Sequence, residues 1–253
     1  MMNSGQFGEF GAVRREFKEY VASLSSRAPW LGGLQEKLRI SLGYDDYRVE
    51  TPVVYNRALD EVGPKDKPHF IVVADNPGKN EQKAVNRRYL VGQSGKLAQG
   101  WFRQELGLDF HASTLIINKT PIHTPKTAEI ATLRRLAAQD SGKLVAELDR
   151  LLDESQRVMA RFAFRLHACL GGVLWISGYG ELKPKGLFAA WTREITTLYA
   201  GASPALRNGV WVFRHFSMNQ FAIEYKQFGG AATDPMEKLE AIGTANRKRT
   251  LGW

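Results

Sequence analysis

Four short apolar runs rich in β-branched residues punctuate the chain: 69–74, 114–118, 172–177 and 209–215. Their length and nearly unbroken hydrophobicity predict strands buried on both faces. Between them, apolar residues recur at helical spacing. "SGKLAQGWFRQEL" separates the first two runs and opens with Ser94 as the expected N-cap, and "KLVAELDRLLDESQRVMARFAFRL" lies in the long stretch 127–169. The part before about residue 60 reads as a mainly helical extension beside the sheet, through "VRREFKEYVASL" and "LQEKLRISL". Strands alternating with helices predict an α/β protein, a three-layer α/β/α fold on a central four-stranded parallel sheet.

The 253 residues, 43% of them hydrophobic, suit a single domain over 1–253. No apolar run is long enough to cross a bilayer, and "MMNSGQFGEFGAVRREF" lacks the apolar core of a secretory signal. The expectation is a soluble, cytoplasmic protein with no membrane partner. A single cysteine, Cys169, excludes an internal disulfide framework and a cysteine-ligated zinc or iron–sulfur site, and no metal or cofactor is expected. The net charge of +9 favours a polyanionic partner, most simply nucleic acid. Residues from about 244 onward read as a basic tail, with Arg247, Lys248 and Arg249 either gripping a phosphate backbone or forming a frayed, solvated end.

In a parallel sheet, ligands bind beyond the carboxyl ends of the strands. Three of those ends carry Asp75-Asn76-Pro77-Gly78, Asn118-Lys119-Thr120-Pro121 and His215-Phe216-Ser217-Met218-Asn219; the fourth, Ser177-Gly178-Tyr179-Gly180, reads as a turn with little chemical capacity. Two amides, an acid, a hydroxyl and a histidine can bind a flat heterocycle and position a water. An asparagine offers an acceptor and donors side by side, and a histidine can donate to an oxygen that gains negative charge. Plainer readings stand beside these: 75–78 are all turn formers, Asn118 suits a strand terminator, and His215 suits a satisfied, partly buried histidine. Trp101, Phe102, Trp191 and Trp211 read as core. "GQSGKL" fails the phosphate-loop spacing, but a helix starting at Ser94, Gly95 and Lys96 suits a single phosphate.

Taken in order, four segments resemble motifs of the uracil-DNA glycosylase superfamily: "ADNPG" (74–78), "RRYLVGQSGKL" (87–97), "LIINKTPIHTP" (115–125) and "HFSMN" (215–219). The resemblance covers about residues 70–219 and implies a cluster-free member of that fold. It implies flipping of a deoxyuridine or another deaminated nucleotide out of DNA and hydrolysis of its N-glycosidic bond, as in base excision repair, by a monomer without a cofactor. On this resemblance Asn76 positions the water and Asp75 is an alternative activator, while His215 faces a base carbonyl oxygen and Asn118 reads the base edge. Tyr89 or Leu90 falls where relatives place a stacking Phe. Ser94, Gly95 and Lys96, with Ser217, Met218 and Asn219, would contact DNA. The chain departs from the pattern at Ala74 (Gly in the family), Phe216 (Pro) and Met218-Asn219 (a wedge Leu). Two other readings stand alongside, a non-catalytic DNA-binding relative and a metal-dependent mononucleotide enzyme.

Overall fold

The computed structural model describes residues 1–230 and 234–253. Two N-terminal helices come first, α1 (Ser4–Arg27) and α2 (Leu31–Ser41). Strand β1 (Phe70–Ala74) leads to α3 (Gln93–Trp101), α4 (Phe110–Ser113) and β2 (Thr114–Asn118). Then come α5 (Ile130–Asp140), α6 (Gly142–Leu170), β3 (Val173–Ser177), α7 (Ala189–Ala200), α8 (Pro204–Asn208) and β4 (Val210–Phe213). Helices α9 (Gln220–Gln227) and α10 (Pro235–Leu251) close the chain. All the strand pairings are parallel, in the order β2-β1-β3-β4, so the predicted sheet forms.

β1 and β2 are buried along their whole length, as strands covered on both faces must be. One face carries Phe70, Trp175 and Phe213 against Trp101, Phe102 and Phe221, with Trp175 and Phe213 ring centroids 4.1 Å apart. Across the sheet, α6 packs on β1, β2 and β3, and α1, α5 and α7 stack on α6. The predicted core aromatics Trp101, Phe102, Trp191 and Trp211 are all buried. α1 opens with a reciprocal cap: the Gln6 N–H donates to Asn3 Oδ1 at 2.8 Å and the Asn3 N–H to Gln6 Oε1 at 3.1 Å. It is tied to α6 by Arg165, whose guanidinium bonds Glu9 and Glu16.

Two expectations need correction. The N-cap of α3 is Gly92, and Ser94 is the second helical residue. The first helical bond runs from the Lys96 N–H to the Gly92 carbonyl at 3.1 Å, which puts the cap at 92, and a Cβ on Gly95 would lie 1.5 Å from the Leu90 carbonyl oxygen, so the first turn must seat a glycine there. The helical spacing read within 127–169 forms α5 and α6, and Ser141 between them caps α6 through the Leu144 N–H. Finally, 244–251 is the end of α10, packed on β4, and not a free tail. Arg247 is buried there and donates to the Arg207 and Val210 carbonyls and, through Nε, to the Trp253 carbonyl at 3.0 Å, which removes it from any surface role.

Candidate active site

Parallel register brings the ends of β1 and β2 level, with Ala74 opposite Asn118. The next residues of the two strands are Asp75 and Lys119, and they form a buried ion pair, Lys119 Nζ to Asp75 Oδ1 at 2.5 Å. The same ammonium donates to the Ser177 carbonyl at 2.6 Å and lies 5.0 Å from the centre of the Phe188 ring. Asp75 Oδ2 accepts from Thr127 Oγ1 at 3.3 Å. Burial pulls the lysine below its usual pKa range, and Asp75 opposes that pull. Gly178, at the end of β3, has φ +82°, and a Cβ there would stand 2.8 Å from Asp75 Oδ1. The turn read as chemically idle therefore supplies an acceptor and the clearance that this pair requires.

Asn76 is half-buried, and its amide orientation follows from its partners. Nδ2 donates to Thr124 Oγ1 at 2.8 Å and to the Ile122 carbonyl at 3.3 Å; Thr124 spends its own proton on the Lys126 carbonyl at 2.9 Å. Both partners can only accept here, so the nitrogen belongs on that side and Oδ1 is left as an acceptor without a protein donor among the described residues.

Asn118 differs: it is 1% exposed, and neither Oδ1 nor Nδ2 has a hydrogen-bond partner among the described residues. Each unpaired buried group costs about 1–3 kcal/mol, a penalty that a ligand offering a donor and an acceptor would remove.

His215 lies two residues beyond β4. Its Nδ1 accepts the Ser217 N–H at 3.0 Å and contacts Ser217 Oγ at 2.8 Å. A backbone N–H can only donate, so Nδ1 is bare and the ring proton sits on Nε2. Burial, chiefly, lowers the pKa; Asp75 raises it and Lys119 lowers it. The ring is therefore neutral near pH 7 and presents an Nε2–H donor. Phe216, where the resembling family carries proline, is buried and stacks on Trp175 at 5.7 Å, anchoring this loop to the core.

Met218 and Asn219 both have left-handed backbone, φ +52° and +54°, and Met218 is 75% exposed. The other non-glycine residues with positive φ among those described are Arg87 and Leu90. All four lie in the loops after β1 and β4, so backbone strain concentrates at the edge that carries the site. Tyr89 and Leu90 are both buried: the Tyr89 hydroxyl donates to the Val54 carbonyl at 2.6 Å, and the Leu90 N–H donates to Glu81 Oε1 at 2.8 Å. At the start of α3, Ser94 is half-buried, Gly95 is buried against Leu90, and Lys96 projects into solvent.

Sequence reasoning missed four residues that build this edge. They are Lys119, Thr124, Thr127 and Glu81. Glu81 accepts from the Gly78 N–H at 3.2 Å and from the Leu90 N–H, so it clamps both ends of the loop after β1, and burial pushes its carboxyl up to about 7. Lys119 had a legible signal, a charge placed level with an opposite charge at the ends of two aligned strands. The others are held by loop geometry that no local pattern encodes. No protein-family model matches the chain, and no curated protein matches it either.

Proposed function

We propose that the protein is a monofunctional DNA glycosylase that hydrolyses the N-glycosidic bond of uracil or another deaminated base in DNA. The observation that carries this reading is the buried Asn118 amide with both of its polar atoms unpaired. A base edge with an adjacent carbonyl and ring N–H satisfies both at once. Discrimination follows, because a base lacking that edge leaves the amide unpaired.

Neutral His215 suits the departing base. Its Nε2–H can strengthen a hydrogen bond to a carbonyl oxygen as negative charge accumulates, without first transferring a proton. The free Asn76 Oδ1 can accept from a water and hold it towards C1′ of the flipped sugar, and a sugar with oxocarbenium character needs no stronger base. Asp75 suits the activator role less well, because both of its oxygens are already engaged. The balance is simple hydrolysis. Water oxygen bonds C1′, the C1′–N electron pair leaves with the base, and the proton that the water loses is matched by the one the base nitrogen gains.

DNA as the substrate is supported by Lys83, Arg87, Lys96, Lys183 and Lys185 in the loops after β1 and β3 and at the start of α3, none in an ion pair among the described residues. Such a rim neutralises phosphates, and binding to it weakens with salt. Exposed Met218 suits an apolar wedge that fills the space left by the flipped base.

The test is release of free base from labelled oligonucleotides carrying uracil, hypoxanthine or xanthine, in single strands and in matched and mismatched duplexes. Release that His215→Ala reduces by two orders of magnitude or more is the expected result. A folded protein that binds DNA salt-sensitively and releases no base from any of them would instead be a non-catalytic relative, a reading favoured by the burial of Tyr89 and Leu90, which leaves neither exposed for stacking.

A further inference from the structure

The geometry points to Lys119 as a positioning residue of this site: it locks Asp75 in place and cancels its charge, so that no lone carboxylate works against the burial that keeps His215 uncharged. The inference rests on the site reading above, but it concerns groups whose behaviour can be measured without any substrate.

A lysine with no exposed surface is costly, and a fold keeps one only if its donors are matched. Lys119 meets that condition with the Asp75 carboxylate and the Ser177 carbonyl, and the face of Phe188 lies nearby. Three strand ends converge on it. Asp75 follows β1 and Lys119 follows β2, while Ser177 ends β3 and the next N–H, that of Gly178, donates to the Phe213 carbonyl at the end of β4 at 2.9 Å. His215 stands two residues further on.

The charge matters because His215 must keep Nδ1 bare. A protonated Nδ1 cannot accept the Ser217 N–H, so the turn 217–219 would lose one of the bonds that hold it, and Met218 is carried on that turn. A lone carboxylate in place of the couple would favour the imidazolium and would also repel a departing base anion. The ionisable groups acting on the ring are Asp75 and Lys119; Glu181, after β3, acts on Lys119. Arg214, adjacent in sequence, points away, bonding the Tyr179 hydroxyl at 3.0 Å and lying 3.9 Å from Glu224 of α9.

The experiment follows the His215 ring by proton–carbon NMR across pH in the full-length protein, with His215→Ala identifying its signal among the five histidines. Lys119→Met should raise the His215 midpoint by on the order of one pH unit, and adding Asp75→Asn to that variant should bring it most of the way back. An unmoved midpoint in a folded Lys119→Met, or a shift that persists in the double variant, overturns the inference. If Lys119→Met does not fold, Asp75→Asn alone and the double variant decide: a midpoint lowered in Asp75→Asn and returned towards the native value in the double variant supports the couple, and an unmoved or raised midpoint in Asp75→Asn defeats it. In base-release assays the acid limb of the pH profile should move upward with the midpoint. Absence of base release from the native protein would remove the glycosylase reading and leave the NMR result to stand by itself.

Discussion

Asn56 and Asn118 are equally buried, at 1% exposure each, and they do opposite things. Asn56, in the segment before β1, is fully used: Nδ2 donates to the Ile116 carbonyl at 2.9 Å, and Oδ1 accepts the Ala58 N–H at 3.2 Å and the Tyr89 N–H at 3.3 Å. It binds β2, the N-terminal segment and the loop after β1 into one body. Asn118, two residues along the strand whose Ile116 Asn56 grips, has no protein partner among the described residues. Burial alone therefore does not separate these two amides. What separates them is whether the buried polar group is spent inside the fold or held back from it.

The sharpest way to break this contrast is to remove each amide. Asn118→Leu should leave stability unchanged or raise it by about 1 kcal/mol, because an unpaired polar group gives way to an apolar one, while base release falls by roughly a hundredfold or more. Asn56→Ala should do the reverse in kind. It strands a carbonyl and two N–H groups, so unfolding in denaturant should show a loss of about 2–4 kcal/mol. Equal destabilisation by both substitutions would mean that Asn118 is structural and that its apparent freedom does not mark a site.

The contrast also explains what could be read from the sequence. The strands were legible because a parallel sheet buried on both faces writes itself as an apolar run, and β1 and β2 end where those runs end. The candidate site at the carboxyl ends was legible by the same logic, since the runs stop at Asp75, Asn118 and His215. Helix α10 was not. Its buried face is Leu239, Ile242, Gly243, Asn246, Arg247 and Leu251, half of it not aliphatic, so periodicity fails even though the spacing is helical. Gly243 is there because a Cβ would come within 2.4 Å of Trp211, a constraint visible only in three dimensions. Nor could the sequence say that Asn56 is spent and Asn118 is not; that depends on which backbone groups a distant segment brings.

Titration sharpens the comparison at a slightly smaller scale. His123, whose Nδ1 contacts the Pro77 carbonyl at 2.8 Å, and His167, whose Nδ1 contacts the Tyr199 hydroxyl at 2.5 Å, are histidines away from the candidate site that burial lowers to about 4. A depressed folded pKa means that the neutral form is favoured by folding. Its contribution is complete above the unfolded value near 6.5 and is lost as pH falls towards 4, roughly 3 kcal/mol for each ring. Glu81, raised to about 7, has the opposite sign: its contribution is present at acid pH and is lost as pH rises from about 4.5 through 7. Stability should therefore climb between pH 4 and 6.5, with two histidines outweighing one carboxyl, and then ease downward. His123→Asn should flatten the acid limb, measured by denaturation at a series of pH values, without moving the His215 midpoint.

Met218 gives the smallest effect and the cleanest trade. A β-carbon in left-handed backbone costs about 1 kcal/mol, and at 75% exposure no packing offsets it. Met218→Gly should therefore stabilise the fold by about 0.5–1 kcal/mol, the reverse of what deleting a working core side chain does. If the side chain is a wedge, the same substitution should slow base release from a matched duplex by roughly tenfold, since an emptied stack closes again at a cost of order 1–2 kcal/mol. It should change release from a single strand little, because no stack has to be held open there. A variant that is stabilised yet equally active on both substrates would show that the strain at 218 serves the turn and not the DNA.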